Sequence, residues 1–221
     1  MNRPTGAPLF EPRWPVALAI LAVVILLAIL PERIGLYPMW VTYVVGFAVL
    51  IPIGAVGLTA AKPRWLRVER MVTLLFVAAT GVSTVANLAN LIRGIVGRSA
   101  DIDGLQLLAS SIAVWVTNVL IFSMVYWQID RGGPEARVNE ASTRPDWLFP
   151  QEGAPAEVVP SGWHPEFIDY LYLGYSTATS LSTADTVPLT SRAKLLMMIE
   201  SAIALVTIVV VASRAINVLA S

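Results

Sequence analysis

The chain contains no cysteine, which excludes disulfide bonds, thiolate nucleophiles and zinc–thiolate sites. Its single histidine, His164, stands beside a proline, so a two-histidine metal site is out of reach. Charge is scarce: Asp, Glu, Lys and Arg make up 14% of the 221 residues, where a soluble domain carries roughly 25%. The 15 acidic and 15 basic side chains cancel, and no Lys/Arg-rich block offers the electrostatic footprint of a nucleic-acid binder. What is abundant is apolar, with 56% hydrophobic residues and a mean hydropathy of +0.69. Lipid is the solvent such a composition asks for, and we expect a multi-pass protein of the inner (plasma) membrane.

A bilayer core about 30 Å thick takes roughly 17–25 helical residues at about 1.5 Å each. Charge-free windows of this kind occupy residues 14–30, 39–61, 71–92 and 104–129; a fifth, 195–219, is interrupted only by Glu200 and Arg214. Between the last two, residues 167–181 are moderately apolar, too short and too hydroxyl-rich for an easy crossing, and predict a re-entrant segment. The first window is long and is followed by Leu30-Pro31-Glu32-Arg33, with no small-residue cleavage site, so it reads as a span and not a signal peptide. The predicted fold is therefore an all-α integral membrane protein with five transmembrane helices and a re-entrant helix before the last. Pro52, Gly46, Gly54 and Gly57 predict a kink in the second window, with Gly54 and Gly57 allowing close helix approach. Trp14, Tyr37, Trp40, Trp65, Tyr126 and Trp127 fall at window ends, where amphipathic rings favour the headgroup layer.

Orientation follows from the basic residues. The connection 62–70 carries Lys62, Arg64, Arg67 and Arg70, and the N-terminal tail adds Arg3 and Arg13, which predicts both on the cytoplasmic side. Four spans then return the chain to the cytoplasm at Asp130. Residues 130–165 are rich in Pro and Gly and predict an irregular surface segment, whose one apolar knot, Trp147-Leu148-Phe149, docks on the protein or the interface.

His164-Pro165-Glu166-Phe167 has the marks of a helix start, with Glu166 and Asp169 complementing the N-terminal dipole, and predicts a helix from about 165 to about 180. Along it the sequence passes from aromatic to hydroxylated. Thr177, Thr179, Ser180, Ser182 and Thr183 can line a polar constriction, or bond to their own backbone and to a neighbouring helix. Asp185 follows the turn and either attracts cations at a mouth or caps the backbone. Glu200 lies a few turns inside the last window, where an ionisable group costs on the order of 2.5–3.5 kcal/mol at the bilayer centre, so it must face protein or water. It is either a cation site or gate residue, or a partner that braces the re-entrant helix. Arg214 is near enough to the end of its window to snorkel. Polar stripes at helical spacing, Thr80, Ser83, Thr84, Asn87 and Asn90 in the third window and Ser110, Ser111, Thr117 and Asn118 in the fourth, predict seams zipped by hydrogen bonds between helices, with a solute pathway as the alternative. Gly174-Tyr175-Ser176-Thr177 lacks the second glycine of a nucleophile elbow, and Asp169 and Asp185 sit at opposite ends of a short helix. No enzyme, catalytic residue, metal site or cofactor is expected.

The stretch from Tyr170 to Glu200 resembles the pore module of the potassium-channel superfamily. There a pore helix leads into Thr-x-Thr-Thr-Val-Gly-Tyr-Gly-Asp, then Pro-x-Thr, a basic residue, and an inner helix that often carries a Glu near its start. This chain has Thr177, Thr179, Asp185, Pro188, Thr190, Arg192 and Glu200 at matching positions, after an aromatic helix. The resemblance implies an N-terminal tail (1–13), a three-helix membrane region (14–103) and a pore-like module (104–221). Within that module it implies an outer helix (104–129), a loop (130–164), a re-entrant helix with a filter-like segment (165–190), and an inner helix (192–220). Its filter-like residues are Thr177, Thr179, Ser180, Leu181, Ser182, Thr183, Ala184 and Asp185. Ser182 and Ala184 replace glycines and Thr183 replaces the tyrosine, so the backbone angles that aim consecutive carbonyls at an ion are costly here. Potassium selectivity is therefore not carried over. The resemblance implies a homo-oligomer in the bilayer, a tetramer if it is a pore, passing monovalent cations with low or altered selectivity and binding no nucleic acid. The alternative is a non-conducting scaffold or a small-solute carrier. The chain is also similar to a family of uncharacterised bacterial inner-membrane proteins, a domain of unknown function with the same order of spans, loop and re-entrant segment, which brings no activity. With 62–70 cytoplasmic, the segment would enter from the cytoplasm, as in the inverted pores of glutamate-gated channels.

Overall fold

In lipid, backbone N–H and C=O groups must be satisfied within the chain, and apolar runs achieve this as helices. The computed structural model describes residues 11–30, 39–58, 63–96, 104–138, 144–155, 157–160, 162–179 and 185–219. They form α1 (Trp14–Ile29), α2 (Met39–Leu58), α3 (Pro63–Val96), α4 (Gly104–Ile129), α5 (Pro134–Val138), α6 (Phe167–Thr179) and α7 (Ser191–Leu219). Two short strands, β1 (Trp147–Leu148) and β2 (Val187–Pro188), pair antiparallel, with Trp147 opposite Pro188 and Leu148 opposite Val187. The architecture is all-α. Three helical segments are long and apolar enough to cross a membrane: Trp65–Arg93, Leu108–Gly132 and Ser191–Ala212. The windows expected at 14–30 and 39–61 emerge as the shorter apolar helices α1 and α2, with α2 running through Pro52.

Packing is centred on α4, which touches α1, α3, α6 and α7, while α2 lies on α1 and α3. Its spanning segment is 61% buried, against 44% for that of α3 and 22% for that of α7. The core joins Ile20 and Val23 of α1, Phe76 of α3, Ile121 and Met124 of α4, Leu173 of α6 and Met197 of α7. Gly46 sets the approach of α1 to α2: a β-carbon there would lie 2.4 Å from Val24 Cγ2. Gly54, expected to play that part, faces open space. The surroundings of Gly57 and Arg214, like Tyr37, Lys62 and Arg3, lie outside the described residues.

Two expectations are corrected. Residues 63–70 are not a loop, because Pro63, which needs no amide donor at the first helical position, opens α3 and places Arg64, Arg67 and Arg70 on its first turns. The described part of 130–165 is irregular, as expected, but it is not all surface. Short turns at Asp130–Gly132 and Pro150–Gly153, with α5 and β1, lie in it, and Asp130, Arg137, Asp146, Trp147 and Phe149 are buried. The Trp147-Leu148-Phe149 knot does dock on the protein, with Trp147 4.7 Å from the Tyr126 ring and Phe149 5.4 Å from that of Tyr170.

The starts of α1, α3, α6 and α7 and the end of α4 meet at one end of the bundle. Arg13 pairs with Glu69 (2.9 Å), Arg70 donates to the Gly132 carbonyl (2.7 Å), and the Phe167 amide donates to Glu11 (3.0 Å). Thus α4 runs against α3 and α7, and α6 leaves the shared end beside them.

Candidate functional site

Two polar clusters hold α6. The first lies at the shared end and is built on three buried carboxylates. Glu11 accepts from the indole N–H of Trp127 (2.5 Å), from the Phe167 amide and from Arg137 Nη2 (3.1 Å). Arg137 also donates to the carbonyls of Trp127 (2.7 Å) and Asp130 (3.1 Å), and its guanidinium lies 5.0 Å from the Tyr170 ring centre. Asp130 accepts from the Asp146 amide (2.7 Å) and from the Tyr170 hydroxyl (2.6 Å). Asp146 accepts from Thr190 Oγ1 (2.5 Å) and from both Nε and Nη2 of Arg192 (2.6 and 2.5 Å), while its carbonyl accepts the Leu189 amide (2.8 Å). The chain is thereby fastened to the end of α4 both where it enters α6 and where it reaches α7.

At the first turn of α6, Asp169 accepts the Glu166 amide (2.8 Å), as expected of an acidic residue at a helix start. Burial holds its carboxyl above the usual carboxylate range; the Glu166 amide and His164 oppose this, and the Glu166 charge adds to it.

The second cluster lies deeper, around Glu200. Its side chain is fully buried among α4, α6 and α7 and accepts the Tyr126 hydroxyl through Oε2. Among the described residues, Oε1 has no hydrogen-bond partner. Asn118 donates to the Glu200 carbonyl (3.2 Å), and Ser201 donates to the carbonyl of Thr177 (3.2 Å), bridging α7 to α6. Gly174 is what lets α6 come this close. A β-carbon there would lie 2.4 Å from Ser123 Oγ, 3.2 Å from the Val119 carbonyl oxygen and 3.3 Å from Glu200 Oε1. The hydrogen bond of the Glu200 side chain thus goes to α4, and α6 meets Glu200 by packing at Gly174.

The other expected residues fall as follows. Thr177 is buried and donates to the Leu173 carbonyl (2.8 Å), and Thr179 donates to those of Tyr175 (3.0 Å) and Ser176 (3.1 Å), so both hydroxyls serve their own helix. Ser180, Leu181, Ser182, Thr183 and Ala184 lie outside the described residues. Asp185 is exposed in the turn before β2. In the α3 and α4 stripes Thr80, Ser83, Thr84, Asn87, Ser110, Ser111, Thr117 and Asn118 are buried and Asn90 is half-buried; Thr84, Asn87 and Ser110 bond within their own helices, and Asn118 joins α4 to α7.

Tyr126 and Trp127, read as headgroup rings, are instead fully buried, because α5, β1 and α6 cover the end of α4. Trp14 and Trp40 are exposed, as a headgroup position requires. Glu11, Tyr126, Asp130, Arg137, Asp146 and Tyr170 were missed as site residues, since each is an isolated polar group whose partner is far away in sequence. A cleft of about 560 Å³ opens between α3, α4 and α7, lined by apolar residues with Thr84 and Asn118 among them. No family model, curated protein or solved structure matches this chain.

Proposed function

We propose that copies of this chain assemble in the inner membrane, as a tetramer in the simplest ring, around a pathway for monovalent cations of low or altered selectivity. Each copy contributes a re-entrant segment formed by α6 and the turn after it. The observation that carries this reading is the course of the chain between Phe167 and Arg192. Phe167 is anchored at the shared end by Glu11; Thr177 bonds Ser201, ten residues or about 15 Å along α7; and Leu189 and Thr190 are back at the shared end on Asp146. The 13 residues of α6 cover about 20 Å, short of a core of about 30 Å, which supports an in-and-out path.

Apolar faces remain for neighbouring copies or lipid: Leu195, Met198, Leu205 and Val209 on α7, and Ile168 and Tyr172 on α6, are all exposed. Asp185, exposed in the returning turn, stands where a carboxylate gathers cations. The shared end holds Arg13, Arg70, Arg131, Arg137 and Arg192, which supports its cytoplasmic placement.

One observation favours a second reading. Thr177 and Thr179 spend their hydroxyls on their own helix and Glu200 is enclosed, so these three groups suit a non-conducting scaffold built on the same module. Purified protein in detergent, sized by light scattering and then tested for cation flux in liposomes, separates the two. A tetramer whose potassium and sodium flux drops several-fold in Asp185→Asn is the expected result. A clean monomer, or flux equal to that of empty liposomes in every cation, leaves the scaffold.

A further inference from the structure

A pocket of about 360 Å³ lies where α3 begins and α4 ends, lined among others by Arg13, Glu69, Arg70, Gln128, Gly133 and Glu135. We propose that it binds a headgroup carrying both a phosphate and a primary ammonium: the head of phosphatidylethanolamine, or the same group on a soluble phosphoethanolamine compound. The proposal stands whether or not the protein conducts.

Gln128 is the starting point. It is 1% exposed and lines the pocket, and neither its amide nitrogen nor its amide oxygen has a hydrogen-bond partner among the described residues. A buried primary amide in this state is costly, and it calls at once for an acceptor to take its N–H and a donor to serve its oxygen. The space far exceeds the roughly 30 Å³ that one water occupies and falls within the range of roughly 300–1,000 Å³ typical of ligand sites.

The charges narrow the ligand. Two guanidiniums, Arg13 and Arg70, face two carboxylates, Glu69 and Glu135, around the same pocket. A lone anion would meet both carboxylates and a lone cation both guanidiniums, whereas a zwitterion complements both signs. Arg13 is fixed by Glu69 at 2.9 Å and lies 5.2 Å from the Trp127 ring centre, and Arg70 Nη1 is fixed on the Gly132 carbonyl. Gly133, in the left-handed backbone region at φ 101°, has its missing β-carbon position 3.0 Å from the Gln128 carbonyl oxygen and 3.8 Å from Arg70 Nη1, so a side chain there would crowd this wall. Depth agrees with a lipid source: the spanning segments begin at Trp65 and end at Gly132, which puts the pocket at the headgroup layer. A choline head offers phosphate and positive charge but no N–H for the Gln128 oxygen, and a glycerol head offers no cation for the carboxylates.

The test uses the full chain, delipidated in mild detergent, with binding followed by native mass spectrometry and thermal shift. Ethanolamine, choline and glycerol phospholipids of matched chains are compared with glycerophosphoethanolamine. The ethanolamine lipid should bind about tenfold tighter than the other two, the size of one or two net hydrogen bonds. Gln128→Leu should bring the three lipids within about twofold of one another, while the exposed Arg70→Gln should weaken ethanolamine and choline lipids alike, as loss of a phosphate contact does. If Gln128→Leu does not fold, as judged by circular dichroism, the three-lipid comparison and Arg70→Gln decide. Glycerophosphoethanolamine bound as tightly as the lipid assigns the site to a soluble ligand, and much weaker binding assigns it to the lipid. Equal binding of all three lipids, or an ethanolamine preference that survives Gln128→Leu, overturns the proposal.

Discussion

Replacing Gly174 with alanine tests whether α6 is clamped where the geometry puts it. In an ordinary helix interior this change gains about 0.5–1 kcal/mol, because alanine loses less backbone freedom on folding. Here the new methyl would lie 2.4 Å from Ser123 Oγ, about 1.1 Å inside a comfortable contact of roughly 3.5 Å. Its neighbours have little room to yield. Ser123 Oγ is held by its hydrogen bond to the Val119 carbonyl (2.7 Å), that carbonyl is itself backbone 3.2 Å from the methyl, and Glu200 is held by Tyr126. Overpacking of this kind costs about 1–3 kcal/mol, which outweighs the propensity gain and leaves Gly174→Ala about 1–2 kcal/mol less stable. Gly54→Ala is the internal control: with nothing within 4 Å of its β-carbon, it should gain stability. Ser123→Ala removes the closest atom, so in the double variant much of the loss should return, a coupling of about 1 kcal/mol. Reversible denaturation in mixed micelles, followed by far-ultraviolet circular dichroism, measures all four proteins. The clamp is refuted if Gly174→Ala shifts in the same direction as Gly54→Ala, or if Ser123→Ala gives no rescue.

The remaining predictions use the same protein. Tyr126→Phe strips Glu200 of its one partner among the described side chains and should cost about 1–3 kcal/mol, and Glu200→Ala should cost a similar amount by orphaning the Tyr126 hydroxyl. Combined, they should cost less than their sum, and strict additivity would contradict the pairing. Arg192, 58% exposed in its side chain, should tolerate alanine with a loss below about 1 kcal/mol, whereas Asp146→Ala, which removes a fully buried acceptor of Thr190 and Arg192, should cost more; equal losses would contradict that ordering. Burial raises the Asp169 carboxyl in the folded state, so its contribution to stability is present at acid pH and is lost as pH rises through the raised value. Asp169→Asn keeps an oxygen for the Glu166 amide and should lose less stability than the native chain between pH 4 and 7 in thermal melts; a larger loss would reverse the assigned sign. Because the chain has no cysteine, single cysteines at Arg64, Asp185 and Lys194 can be labelled cleanly, and impermeant reagents should reach all three from the same side of the membrane.

How much of this was legible follows from what a linear pattern encodes. Apolar windows locate helices because the bilayer imposes length and the backbone imposes hydrogen bonding, and α4 and the start of α6 fall where the sequence placed them to within two residues. The α3 and α4 stripes were legible as buried faces because helical spacing turns composition into a face. The basic stretch from Pro63 to Arg70 was misread as a loop because charge was taken to mark the end of a helix. A helix continues past its apolar stretch into charged turns at no cost to its backbone, as α3 does between Pro63 and Arg70. Residues 130–165 were rightly read as irregular, because their prolines and glycines rule out long regular elements, but wrongly as all surface. Those residues do not rule out tight turns that deliver Asp130 and Asp146 to buried positions.

The polar end was the least legible part, for a reason that bears on what it does. Glu11, Asp130 and Asp146 are each a solitary carboxylate beside turn-forming or aromatic residues, and each is completed by a donor 16 to 156 residues away. A helix period cannot signal such pairs, because only tertiary folding brings them together. Their placement is nonetheless specific: Asp130 holds the start of α6 through Tyr170, Asp146 holds the start of α7 through Thr190 and Arg192, and the Asp146 amide on Asp130 joins the two. Deeper in, the far part of α6 is held a second time, by Ser201 on the Thr177 carbonyl and by the closeness of Gly174 to Ser123 and Glu200. Fastened near its start by buried charge and farther along by close packing, α6 is fixed along its length against α4 and α7.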